Sequence, residues 1–308
     1  MWRAICGVAL TFSILFWNVE NYFDPFDDPL KNDNEFTPVA ERHWTWRRFE
    51  AKRDGIAQTI VASADRLGEL PVLVGLAEVE NRMVVSQLVN KTLLSELDYG
   101  FVHRESPDER GIDVALLYRK DLLQVMGVDS LRVPGVVTRD ILYVRFRVRP
   151  DDTQIVIPGL TRNLHVFVVH FPSNRGGVRA SDDRRQAARQ VLEHAVDSLL
   201  QADSDGPIVV MGDFNDTAPR VVGLAAPPPA DPPAAPGTLR YHGHWEQIDW
   251  FFLSPALAET ARTDIFAPPF LLEPDAAWLG MKPRRTYIGP RYNGGLSDHL
   301  PIVLQISP

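Results

Sequence analysis

The stretch Ile208-Val209-Val210-Met211-Gly212-Asp213-Phe214-Asn215-Asp216 constrains the fold more than any other part of the chain. Its all-apolar start follows Gly206-Pro207 and stops at a glycine, which reads as a strand buried on both faces that breaks into a loop. Asp213 and Asn215 then stand two apart. In extended chain their side chains emerge on one side, one an anionic acceptor and the other an amide that both donates and accepts. Such a pair can orient a water molecule. It can equally form an Asx turn, in which both side chains bond their own backbone.

The same pattern recurs. Ser13 to Trp17 runs into Asn18-Val19-Glu20-Asn21, and Val72 to Ala77 runs into Glu78-Val79-Glu80-Asn81. Leu164 to Val169 ends at His170, Gln247 to Leu253 carries Asp249 within an apolar run, and Ser297-Asp298-His299 precedes the last apolar stretch. Carboxylates, carboxamides and histidines placed where sheet edges open to solvent suit a hard, oxygen-liganded cation together with acid/base chemistry.

In this order the markers Trp17-Asn18-Val19-Glu20, Leu76-Ala77-Glu78-Val79-Glu80, Gly212-Asp213-Phe214-Asn215, Ile248-Asp249-Trp250-Phe251 and Ser297-Asp298-His299 resemble the endonuclease/exonuclease/phosphatase superfamily, whose familiar members are DNase I and the abasic-site endonucleases. The resemblance runs from about Ser13 to Ile306. Arg110 to Arg119 (Arg-Gly-Ile-Asp-Val-Ala-Leu-Leu-Tyr-Arg) is similar to bacterial members of undefined substrate, so a reaction class is implied more firmly than a substrate.

At 308 residues and 45% hydrophobic, the chain is long enough for one large core and is expected to be a single domain. With 32 Lys and Arg against 40 Asp and Glu, its net charge of −8 is not that of a typical high-affinity, nonspecific nucleic-acid binder. A local basic patch or a bound cation can still supply positive potential, so a nuclease is not excluded. Cys6 is the only cysteine, so no intramolecular disulfide forms.

Met1 to Thr11 resembles the charged and apolar regions of a signal peptide, yet the apolar run continues into Phe12 to Trp17, the expected first strand. An export segment and a strand extension are therefore both expectations. A soluble, cytoplasmic protein is the first of them, without stable membrane insertion and with a monomer favoured. Further on, Phe49, Ile56 and Ile60 share one face of a helix over 47–62, and a second helix with Val84, Leu88 and Val89 buried is predicted after Glu78. Ile112 to Tyr118 reads as a strand, and Leu142 to Val148 alternates as a half-exposed one. Ser181 is the expected N-cap of a helix whose Ala188, Leu192 and Val196 face the core. Residues 218–237 hold seven prolines and read as a mobile or polyproline-like surface loop.

Strand-rich stretches broken by few helices indicate a mixed α/β sandwich. The resemblance sharpens this to a four-layer α-β-β-α sandwich of two mixed sheets, with the site at one end. It implies metal-assisted hydrolysis of a phosphodiester. Glu78 is the first-choice ligand for Mg²⁺ or Mn²⁺, with Asn18 and Asp298 beside it and Glu20 a weaker candidate. Asp213 would activate the attacking water and Asn215 hold it. His299, oriented by Asp249, would contact the phosphate, and His170 would lie near the leaving group. Asn174 and Arg175, in the loop after His170, are expected phosphate binders, since a guanidinium and backbone donors near glycines suit that anion. DNA or RNA is the first expected substrate. A phosphatase or a phospholipid or sphingomyelin phosphodiesterase is the alternative, and a noncatalytic binding module is a third reading. That third reading is opposed by the presence of Glu78, Asp213 and His299 together.

Overall fold

The computed structural model describes residues 11–149, 163–173 and 178–307, the side chains of 178–180 excepted. Asn174, Arg175 and residues 1–10 lie outside the described residues. Two mixed sheets dominate. The first holds β1 (Phe12–Tyr22), β2 (Leu73–Val79), β3 (Tyr99–His103), β4 (Asp113–Arg119) and the C-terminal strands Ala261–Ile265 and Ile302–Ile306. The second holds β5 (Leu123–Leu131), β6 (Ile141–Val148), β7 (Asn163–His170), β8 (Ile208–Asp213) and the strand Asp249–Leu253.

Each sheet has one central parallel pair, β1 with β2 and β7 with β8. These central strands carry the near-continuous apolar runs that burial on both faces demands: β8 is buried along its whole length. Phe16, Leu76, Ala115, Val144, Val166, Val209 and Met211 belong to one core cluster that joins the sheets, while Phe167, Leu192, Val196 and Val210 form a second cluster beneath the helix Val178–Ala202. The predicted helix over 47–62 is Trp46–Ala62, with Phe49, Ile56 and Ile60 buried. Arg82–Asn90 is the helix expected after Glu78; the Asn81 side chain accepts from the backbone N–H groups of Met83 and Val84 and so caps it.

One expectation fails. Ser181 does not cap its helix, which begins three residues earlier at Val178. Ser181 is instead fully buried inside the first turns, where Arg184 reaches its hydroxyl. Position 181 reads as a cap because a small polar residue precedes the acidic pair Asp182-Asp183, but tertiary burial fixes its place. Segment 218–237 runs along both sheet edges. Ala225 exchanges two backbone hydrogen bonds with Leu253, and Ala230 donates to Thr263, so the residues that keep an N–H between the prolines satisfy otherwise open edge strands. Among the described residues no helix is long and apolar enough to cross a membrane.

Gly212 is fixed by close approach. A Cβ there would overlap the carbonyl oxygen and side chain of Val169 on β7. Gly212→Ala should therefore cost about 1–3 kcal/mol or more through forced backbone separation, read from the urea midpoint of unfolding; an unchanged midpoint would mean that the two strands yield freely.

Candidate active site

Sheet register sets the site. Across three neighbouring strands His170 lies beside Asp213, and Asp213 beside Asp249, so all three residues occupy one row at the open end of the second sheet. All are almost fully buried. From the other sheet comes Asn18, near the end of β1, and from the turn before the last strand comes His299. Trp17 Nε1 donates to the His299 carbonyl at 2.9 Å, and Ser297 Oγ donates to the Asn18 carbonyl at 2.6 Å, so β1 holds this turn in place and His299 reaches across to Asp249 of the second sheet.

Asp213 is the hub. Its Oδ2 accepts from Asn18 Nδ2 at 3.1 Å and faces His170 Nε2 at 3.6 Å and His299 Nε2 at 3.9 Å, while its Oδ1 accepts from the Asn215 N–H at 2.9 Å. Burial and the neighbouring Asp249 carboxylate push Asp213 up to about 7, against the opposing pull of His299 and of the Asn18 and Asn215 hydrogen bonds. His299 Nδ1 is 2.8 Å from Asp249 Oδ2. Burial opposes charge on His299, but Asp249, then Asp213 and Asp298, outweigh it and hold the imidazolium well above the usual histidine range. His170 goes the other way: burial and the Arg139 and Arg110 guanidiniums, with His299, keep it well below that range. Its Nδ1 makes no hydrogen bond.

The acidic residues stand alongside. β1 and β2 both break register at the same level, between Asn18 and Tyr22 and between Ala77 and Val79. Glu20, Asn21 and Glu78 adopt positive φ there, 47°, 54° and 62°. Paired irregularities re-aim side chains that a regular pleat would send to opposite faces, and such strain persists only where its surroundings enforce it. Glu78 Oε2 accepts from the Asn21 N–H at 2.8 Å and lies 3.8 Å from Arg110. Glu20 binds Arg285 at 2.7 Å and the Thr286 N–H at 2.8 Å, and Arg285 also reaches Asp298 at 3.0 Å. Burial and Asp298 push Glu20 up to about 7.

The candidates therefore fall into two groups, a histidine–aspartate row and a carboxylate trio. Asn18 bridges them, since its Oδ1 accepts from the Glu20 N–H while its Nδ2 serves Asp213. Asn215 Nδ2 donates to the Phe171 carbonyl, tying the turn after β8 to the turn after β7.

Sequence reasoning missed two cations. Arg285 lies in an irregular loop with no period to mark it. Lys52 could have been found, because it falls on the apolar stripe of its helix between Phe49 and Ile56, where a lysine needs a buried partner. Its Nζ donates to the Glu20 carbonyl and to Thr286 Oγ1. Burial lowers it to about 8 despite Glu20, Glu78 and Asp298.

The profile of the Endonuclease/Exonuclease/phosphatase family matches residues 13–222 and 233–308. Among solved structures, truncated Caenorhabditis elegans TDP2 is similar at 16% identity and a TM-score of 0.60, over 97% of this chain and 98% of that one. A Bacteroides thetaiotaomicron mannosyl-6-phosphatase is 15% identical with a TM-score of 0.59, over 95% and 98% of the two chains. The human Nocturnin catalytic domain with bound sulfate is 17% identical with a TM-score of 0.55, over 96% and 93%. No curated protein matches. At these identities the structural likeness speaks for the fold alone, the DNase I-like α/β arrangement of two mixed sheets with helices. Because the family profile covers most of the chain, the protein belongs to the endonuclease/exonuclease/phosphatase family.

Proposed function

We propose that the protein is a divalent-metal-dependent phosphodiesterase in which Asp213 is the general base and the Asp249–His299 pair binds the phosphoryl group. One observation carries this reading: Oδ2 of the buried Asp213 faces two histidine Nε2 atoms, of His170 at 3.6 Å and of His299 at 3.9 Å, and their surroundings push the first ring toward its neutral form and the second toward the cation. Groups pushed apart in this way divide acid and base roles between them. Asp213 accepts the proton of the attacking water. His299, kept cationic by Asp249, donates from Nε2 to a phosphoryl oxygen. His170, kept neutral, stands on the side of Arg139 and Arg110, where it can hydrogen-bond the departing oxygen. Asn18 and Asn215 keep Asp213 aimed.

Glu78, Glu20 and Asp298 are the residues that would hold Mg²⁺ or Mn²⁺. Arg285 bridging Glu20 and Asp298 is a sign that this oxygen-donor set demands positive charge, which fits a hard cation. The bound ion would supply Lewis-acid polarisation of the phosphoryl oxygen. Asp213, Asp249 and His299 lie close enough together to hold an ion, but a cationic imidazole already bonded to Asp249 leaves no lone pair there for a metal.

Nucleic acid is the first choice of natural substrate. The test is a panel of a chromogenic diester, the matching monoester, single- and double-stranded DNA, RNA, inositol phosphates and sphingomyelin, each with Mg²⁺ and Mn²⁺ and each after exhaustive chelation. The diester should be cut faster than the monoester, and EDTA should abolish every activity until metal is restored. Rapid monoester hydrolysis with no action on nucleic acid would replace this reading with a phosphatase, and activity untouched by chelation would end the metal assignment.

A further inference from the structure

Away from the proposed catalytic groups, His103 closes β3 and Asp113 opens β4, so they flank the mouth of one hairpin whose loop spans 104–112. Their side chains are 2% and 3% exposed, with His103 Nε2 and Asp113 Oδ2 3.5 Å apart. Neither atom makes a hydrogen bond. Asp113 Oδ1, by contrast, accepts from the Ser106 N–H at 3.1 Å. Two buried polar atoms left this way each cost about 1–3 kcal/mol unless something lies between them. The gap is too long for an N–H···O bond. It matches the separation, about 3.4 Å, of two donors bound at roughly 2.0–2.2 Å to one tetrahedral ion.

Glu105 completes the set. Its Oε1 is 3.8 Å from His103 Nδ1, the other ring nitrogen, and one donor atom from each of His103, Glu105 and Asp113 lies within 4.8 Å of the other two, so one imidazole nitrogen and both carboxylates are in reach of a single ion. Glu105 is largely exposed, yet its partial desolvation, and then Asp113, push its carboxyl up against the opposing pull of His103 and Lys31. Two carboxylates that meet need a proton or a cation between them. Lys31 does not fill that place with hydrogen bonds to either carboxylate: its Nζ donates to the Ser106 and Asp108 carbonyls. Asp140, whose Oδ1 also lacks a hydrogen bond, adds negative potential toward Asp113.

We propose that His103, Glu105 and Asp113 form a second metal site, separate from the Glu78 group, for a divalent transition metal such as Zn²⁺. One neutral imidazole and two carboxylates balance a 2+ charge, and a mixed nitrogen–oxygen set favours Zn²⁺ over Mg²⁺. The ion fastens the 104–112 loop, which presents Arg110 to Asn21 and Glu78.

The test is calorimetric titration of the full chain with ZnCl₂ after EDTA stripping, in a Glu78→Gln background that removes the first-choice active-site ligand. That background should bind one Zn²⁺. Adding His103→Gln or Asp113→Asn should abolish the binding. Adding Glu105→Gln should weaken it about tenfold or more, since even outer-shell changes cost 10–100-fold. Glu105 is 60% exposed, so its variant keeps the fold and gives a reading even where the buried substitutions do not. No Zn²⁺ bound in the Glu78→Gln background, or unchanged affinity in Glu105→Gln, would overturn the proposal.

Discussion

Asp213→Asn should lower turnover by about 10²–10⁴, the range that a positioned acid or base contributes. The substitution keeps the side chain's shape and one oxygen, so substrate binding should change far less than kcat. What disappears is the one carboxylate oxygen among the described residues that faces both His170 and His299. The pH profile gives a second reading. Asp213 is held up to about 7, so below that value it carries a proton and cannot take another; wild-type kcat/KM should fall as pH drops through neutrality. That limb reports the protonation of Asp213 among its charged neighbours Asp249 and His299 and should be absent from the residual activity of Asp213→Asn. A variant within tenfold of wild type, or one with the acid limb unmoved, would transfer the base role to another group.

How far the site could be read from sequence depended on whether regular backbone carried the residue. His170, Asp213 and Asp249 were legible because each ends or interrupts a short apolar run, and the row they form needs only strand pairing to assemble. That pairing was not legible. Nothing local says that β1 lies between β2 and the C-terminal strand, or that β8 lies between β7 and the strand of Asp249. Glu78 and Glu20 were found as types, but their direction depends on coincident register breaks in two strands, which no periodicity reports. Arg285 was invisible for a related reason, since its partners Glu20 and Asp298 come from β1 and from the turn before the last strand. Ser181 shows the opposite error, a local capping signal overridden by burial.

The Asp249–His299 pair should act as one unit in both turnover and stability. His299→Ala and Asp249→Asn should each lower kcat by about 10² or more, and the double variant should be little worse than the less active single one, because the first removes the cationic donor and the second removes the charge that orients it and favours its cationic form. The stabilities should diverge. Asp249 is 1% exposed and its Oδ1 has no hydrogen bond, so removing His299 strands a buried carboxylate, at a cost of about 3–5 kcal/mol for breaking a buried pair. Asp249→Asn keeps an acceptor for the imidazole N–H and removes the charge, so it should cost less. The double variant leaves no stranded charge and should unfold at higher urea than His299→Ala alone. Asp249→Asn also removes the main influence that keeps His299 cationic, so its alkaline loss of activity should begin at lower pH than in wild type. Kinetics, urea melts and pH profiles on the four proteins of the cycle decide the matter. Additive losses in kcat would mean that the two residues work separately, and a double variant less stable than His299→Ala would mean that Asp249 is not stranded by the loss of its partner.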